Sequence, residues 1–367
     1  MRWRLIRIAL ILLFFPPLLA AVAGWVSGPW YLHPIRRELT PDLIREADGS
    51  FAEVCEQRED FEVRAPDGVV LRGWKVRPPQ PNGSWVLLFH GVADNRVGTV
   101  GQSEFLLRAG YSVVLMDARA HGASGSTIAT YGWLERNDTR AIIDALISSE
   151  QARSATNNPA PDRIHPGPTL ARVAKPNPAT LAESSASYPS SASSSFHLFA
   201  LGESMGAGIA LQSAAADPRI EAVVAEASFA NLREASYDYA GLRQYPLLGK
   251  TLLAPFSWTL FYRGEELAGL PAEEVSAVKA VSARAFPVLL ICDEKDQALP
   301  CRHTQMIYDA ARGPKQLWIV PGAFHTAAYG FAPQEFRRRV LAFFNAVSSG
   351  AAPFAKNFIA AQEPGIA

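Results

Sequence analysis

The sequence predicts an α/β fold, with a mostly parallel central sheet, helices on both faces and a helical cap insertion. Three observations carry the prediction. Short apolar runs of strand length alternate with helix-like stretches along most of the chain. Those runs lack polar alternation, as strands buried between two helical layers must. From Asn231 to Arg284 a longer excursion, rich in aromatics and leucines, breaks the rhythm. It is expected to cover the C-terminal ends of the strands, where open α/β sheets bind ligands.

The 367 residues are 49% hydrophobic and 19% charged, with 35 basic and 35 acidic side chains. That is ample material for a large core. Balanced charge argues against nucleic-acid binding, which needs a basic face to displace counterions. Cys55, Cys292 and Cys301 form no metal-binding spacing, and an odd count cannot pair fully within one chain. No disulfide framework is therefore expected. Cys292, ending an apolar run, reads as a small core residue, with a Cys292–Cys301 bridge as the less favoured alternative.

The elements follow in chain order. Residues 1–30 open with Arg2, Arg4 and Arg7 before an uncharged run of 19 residues, Ile8 to Val26. As a helix this run is about 28 Å long, close to the hydrocarbon thickness of a bilayer. The arginine flank places the N-terminus in the cytoplasm and the rest of the chain across the membrane. A single-pass anchor is favoured. Ala21-Val22-Ala23 also fits a cleavage site, so a removed signal peptide, leaving a secreted or periplasmic protein, is the rival.

The main domain is expected over 50–350, with a C-terminal tail at 351–367. "FEVRAPDGVVLRGWKVRPP" alternates apolar and polar residues around a Pro-Asp-Gly turn, a hairpin. "SWVLLFHG" and "YSVVLMDAR" read as buried parallel strands flanking a helix near Glu104 to Ala109. "ERNDTRAIIDALISSE" sets Ile142, Ile143, Leu146 and Ile147 on one helical face. From 151 to 195 the chain turns to Pro, Ser, Ala and Asn, the composition of a disordered insertion. Strand-like runs resume with "FHLFALG", "RIEAVVAEAS", "FPVLLIC" and "KQLWIV", interrupted by the cap at 231–284. Its Tyr237, Tyr239, Tyr245, Phe256, Trp258 and Phe261 suit either an apolar substrate group or simple packing.

The chemistry concentrates in "FHLFALGESMGAGIALQSAAAD", an apolar strand, a glycine-rich bend and an alanine-rich helix. The bend is no phosphate cradle. A P-loop needs Gly-Lys-Ser/Thr and there is no lysine from Phe196 until Lys250, while the dinucleotide pattern fails at Leu211. Gly202-Glu203-Ser204-Met205-Gly206 instead fits the G-x-S-x-G nucleophile elbow. Small residues flank the serine because strand and helix backbones meet closely there. The turn lifts the hydroxyl to a helix N-terminus, which favours negative charge.

A serine hydroxyl needs a base, and the base needs an orienting acid. Downstream of Ser204 stand His303 and His325. His325, in "VPGAFHT" after the last strand, is the candidate base; His303 opens a helix-like segment and reads as a surface residue. Asp296, a turn beyond the strand "FPVLLIC", is preferred as the acid over Asp293, and Glu294 suits a solvated loop. The oxyanion needs amide donors, for which Met205 and Val92 are the candidates. His90 and Gly91 shape the second donor's loop. With no HExxH and scattered histidines, no metal is implied, and no cofactor.

In their order, "FHGVADNR", "MDARAHGASG", "LGESMGAG", "CDEKDQALP" and "PGAFH" resemble the α/β-hydrolase superfamily from about Phe61 to Ala346, the insertion excepted. The look is nearest to its membrane-anchored or exported branch of serine aminopeptidase-like (S33-type) and prolyl-oligopeptidase-like hydrolases. The resemblance implies a Ser-His-Asp hydrolase of small-molecule esters, amides or peptides, and gives Asp117, Arg119 and His121 structural work. Asp293, Phe324 and Ala120 stand where that family commonly has glycine. Cleavage of carboxylic esters is the expected function. A peptidase is the alternative, and a catalytically silent membrane-tethered binding module the rival from another class.

Overall fold

The computed structural model describes residues 2–157, 196–239, 241, 243, 249 and 251–351. Most of the expected insertion, Tyr245 of the cap and nearly all of the C-terminal tail lie outside the described residues.

Helix α1 (Arg2–Leu32) precedes α2 (Pro41–Phe51), whose first turn is capped by the Thr40 hydroxyl accepting from the Leu43 amide. Strands β1 (Gln57–Arg64) and β2 (Val70–Arg77) form the expected hairpin, turning through Gly68 at φ 87°. Next come β3 (Ser84–Phe89), α3 (Val100–Arg108), β4 (Ser112–Met116) and α4 (Glu135–Asn157). They are followed by β5 (His197–Glu203), α5 (Met205–Ala216) and β6 (Ala222–Glu226). The cap region supplies α6 (Leu232–Tyr239) and α7 (Ala254–Ala268), and α8 (Ala277–Ala283) leads back to β7 (Val288–Asp293). The chain closes with α9 (Arg302–Ala310), β8 (Lys315–Val320), α10 (Ala328–Phe331) and α11 (Pro333–Ser348).

Among the described residues, eight strands form one sheet in the order β1-β2-β4-β3-β5-β6-β7-β8. Pairings β1–β2 and β2–β4 are antiparallel and all others parallel. Side-chain alternation along β5 explains the two cores. Phe199 and Leu201 join Phe336, Phe343 and Phe344 on one face, while Leu198 and Ala200 meet Ile143, Leu146 and Leu211 on the other. A smaller cluster lies under the cap, where Leu32 of α1 packs with Phe229, Leu260 and Phe261.

Three expectations are corrected. Residues 151–157 continue α4 as helix rather than opening the insertion. Cys292 and Cys301 are joined by a disulfide, their Cα atoms 5.4 Å apart, leaving Cys55 as the free thiol. Counting parity hides this, because an odd count forbids only complete pairing. His303 is fully buried, not on the surface. Its Nδ1 accepts from the Ala230 amide at 3.2 Å and its Nε2 donates to Asp238 at 2.8 Å, so it ties α9 to the cap helix α6.

Candidate active site

The parallel strands deliver their C-terminal ends to one side of the sheet, and the sequence-derived residues sit on the loops that follow. Ser204 lies between β5 and α5 at φ 53° and ψ −117°, a strained conformation for a residue with a Cβ. The close approach that permits it depends on two glycines. A Cβ on Gly202 would strike the Gly206 carbonyl, and one on Gly206 would strike that of Phe89. The Ser204 amide donates to Glu226 O at 2.9 Å, which fixes the turn against β6.

His325 follows β8. Its Nε2 is 2.9 Å from Ser204 Oγ, which donates to it, and its Nδ1 donates to Asp296 Oδ2 at 2.6 Å. The other Asp296 oxygen accepts from the amides of Ala298 and Leu299, both at 2.8 Å. Three hydrogen bonds thus hold the carboxylate against the imidazole. Asp296 is buried and His325 is partly exposed, so the chain of hydrogen bonds leads from the interior towards the cavity.

Asp293, the alternative acid, takes a different partner: Oδ2 accepts from the Thr326 amide at 2.8 Å. Burial and then the neighbouring Asp296 charge push Asp293 up to about 7. Glu226 accepts from the Ala328 amide at 2.9 Å, and burial, then Asp293, holds its carboxyl well above the usual range. Glu203, bonded by Gln102, is raised to about 8 by burial and then by Asp94. Sequence reasoning missed this buried acidic layer. Glu203 and Glu226 each end a buried apolar strand, which is the signal that marks them.

The loop after β3 brings Gly91 beside Ser204; a Cβ on Gly91 would lie 3.6 Å from the Ser204 Cβ. His90 is buried. Its Nε2 accepts from the Ala118 amide at 3.0 Å, so its Nδ1 carries the proton and donates to Gly91 O at 2.7 Å. Burial lowers the His90 pKa, and the neutral ring serves to hold two loops. In the neighbouring loop Asp117 pairs with Arg96 at 2.7 Å, and Arg119 with Asp138 and with Asp67. His121 Nδ1 donates to Arg119 O at 2.9 Å, and Ala120 adopts φ 62° where glycine is usual.

Ser204, Met205 and Val92 open onto a cavity of about 390 Å³ under the cap. Tyr239, Phe256, Leu260 and Phe261 of the cap line it, together with Tyr31 from α1. Tyr31 was not anticipated, since it follows an apolar run with no motif around it. Glu294, by contrast, is exposed and accepts from the Gly322 amide.

Sheet order, elbow turn and cap together define an α/β-hydrolase fold with a serine at its elbow. No protein-family model matches the sequence. Over 319 residues the chain is 25% identical to the uncharacterized protein YqkD of Bacillus subtilis (strain 168), covering 85% of this chain and 88% of that one. Among solved structures it is similar to the Pyrococcus furiosus esterase Pf2001, with a TM-score of 0.58 and 21% identity, over 86% of this chain and 99% of the esterase. It is also similar to the Pyrococcus horikoshii acylaminoacyl peptidase, with a TM-score of 0.53 and 15% identity, over 87% of this chain and 46% of the peptidase. At these identities the structural likeness establishes the fold.

Proposed function

We propose that this chain is a serine hydrolase of carboxylic esters. The observation that carries the reading is the Asp296–His325–Ser204 hydrogen-bond chain at the mouth of an apolar cavity. Ser204 Oγ attacks the ester carbonyl carbon while its proton passes to His325 Nε2, and Asp296 stabilises the imidazolium. The Met205 and Val92 amides receive the oxyanion. Collapse breaks the bond to the alkoxy oxygen, which takes the proton from His325 and leaves as the alcohol. Water then gives a proton to His325 and attacks the acyl carbonyl. When the acyl–oxygen bond breaks, the proton returns to Ser204 and the acid is free.

The same acyl transfer cleaves amides, so a peptidase is the second reading, favoured by the likeness to the Pyrococcus horikoshii acylaminoacyl peptidase. The apolar lining of the cavity supports the ester reading over it. A fluorophosphonate probe is expected to label the wild type and not Ser204→Ala. Absence of labelling in folded protein removes the hydrolase reading in favour of a silent binding module. A panel of acyl esters and aminoacyl amides separates the first two readings.

The expected location is a membrane anchor with the catalytic domain outside the cytoplasm. It is supported by the arginine flank, by a 31-residue apolar helix and by a disulfide, which persists in oxidising compartments. Carbonate extraction combined with the mass of the mature N-terminus tests it. A soluble chain beginning at Gly24 is the contrary result.

A further inference from the structure

Nothing in the proposed reaction accounts for the way α1 meets the cap. Its last turns run along α7 at backbone distance. A Cβ on Gly24 would collide with Phe256 O, one on Gly28 with the Arg263 side chain, and one on Gly264 with the Tyr31 ring. Small residues spaced four apart are how helices approach closely in a membrane. Thr259 Oγ1 also donates to Ala21 O at 2.7 Å. The contacts advance together along both helices, so α1 and α7 are parallel, and the start of α7 lies towards the apolar part of α1.

The end of α1 is locked to the domain. Leu32 is fully buried and its carbonyl accepts from the Ala129 amide at 2.8 Å. Tyr131 Oη donates to Tyr31 O at 2.5 Å, and the two rings stack. Arg36 then donates to the carbonyls of Ser124 and Ser126. Upstream, by contrast, Leu5, Ile6, Leu13, Phe14, Leu18 and Leu19 are exposed. Beside them α7 exposes Trp258 at 61% and Tyr262 at 64%, one helical turn apart, and Trp25 stacks on Tyr262. Aromatics in such a cluster favour the membrane–water boundary. On the inner side of the same two helices, Tyr31, Phe256 and Leu260 wall the cavity that reaches Ser204.

We propose that α1 and α7 form one membrane-seated unit, and that the substrate is a long-chain fatty acyl ester drawn from the bilayer. This rests on the ester-hydrolase reading. The acyl chain leaves the lipid beside α7 and enters the cavity along Phe256 and Leu260, with its carbonyl at Ser204. Hydrolysis consumes one water and yields the fatty acid and the alcohol. Tyr31 makes the anchor a wall of the site.

The test uses the full chain reconstituted in phosphatidylcholine vesicles, with p-nitrophenyl butyrate in solution and p-nitrophenyl palmitate embedded in the bilayer. The expected result is a kcat/KM for the palmitate at least about tenfold higher. Trp258→Glu, at an exposed position outside the cavity, should lower the palmitate rate about fivefold and leave the butyrate rate unchanged. An equal or higher kcat/KM for the butyrate overturns the proposal, as does a Trp258→Glu effect that is absent or equal on both esters. If neither ester is hydrolysed and Ser204 takes no fluorophosphonate, the hydrolase reading itself fails, a distinguishable result.

Discussion

Asp293 and Asp296 stand three residues apart, yet only Asp296 meets the imidazole of His325. The difference sets unequal costs for near-isosteric changes. Asp296→Asn should lower kcat about a thousand- to ten-thousand-fold, because it favours the wrong tautomer of His325. Asp293→Asn should cost less than about tenfold, since its partner is the Thr326 amide; steady-state kinetics on a soluble ester measure both. From sequence, Asp296 was distinguished by its place one turn beyond the strand. The burial of His303 was not legible, because its partner Asp238 lies 65 residues away and no local pattern joins them.

The raised carboxyls make a second prediction at this scale. Unfolded, Glu203 would lose its proton near the ordinary glutamate value; folded, it holds it up to about 8. Between those values the unfolded state binds fewer protons. The stability linked to this group is therefore full at low pH and lost as pH rises through about 8. Asp293, raised to about 7, acts in the same direction. The thermal midpoint should fall between about pH 5 and 8, and Glu203→Gln should flatten that fall. A wild-type midpoint that rises over this range contradicts the assignment.

At the scale of elements, the turn between β5 and α5 is the most constrained. Gly206→Ala would drive a methyl into the Phe89 carbonyl, which the neighbouring strand β3 holds in place. A loss of about 2–4 kcal/mol in denaturant unfolding is expected, together with loss of probe labelling. The parallel strands were legible because short apolar runs bounded by turn signals leave little else for a buried segment to be. The end of α4 was harder. "QARSATN" offers no apolar stripe, and its helix continues from the packed turns before it rather than from any face of its own. The antiparallel pairing of β2 with β4 was equally illegible, since no run records which neighbour it will meet.

Across the whole molecule, the disulfide and the N-terminal helix bear on the same site. The Cys292–Cys301 bond closes the loop that carries Asp296. Replacing both cysteines by alanine should cost about 2–3 kcal/mol, the order expected for so short a loop. Dithiothreitol should lower the wild-type melting temperature and leave that of the double variant unchanged. Composition conveyed the likeness of α1 to a bilayer span, yet not its packing against α7, because close approach depends on glycines whose partners are more than two hundred residues distant.

The bridge beside Asp296 ties the geometry of the site to the redox state of its surroundings. A copy kept in a thiol-rich medium would carry Asp296, the partner of the His325 imidazole, on an unclamped loop. The clamp would form only under oxidising conditions. Under the export proposed above, closure of that loop would follow passage out of the cytosol.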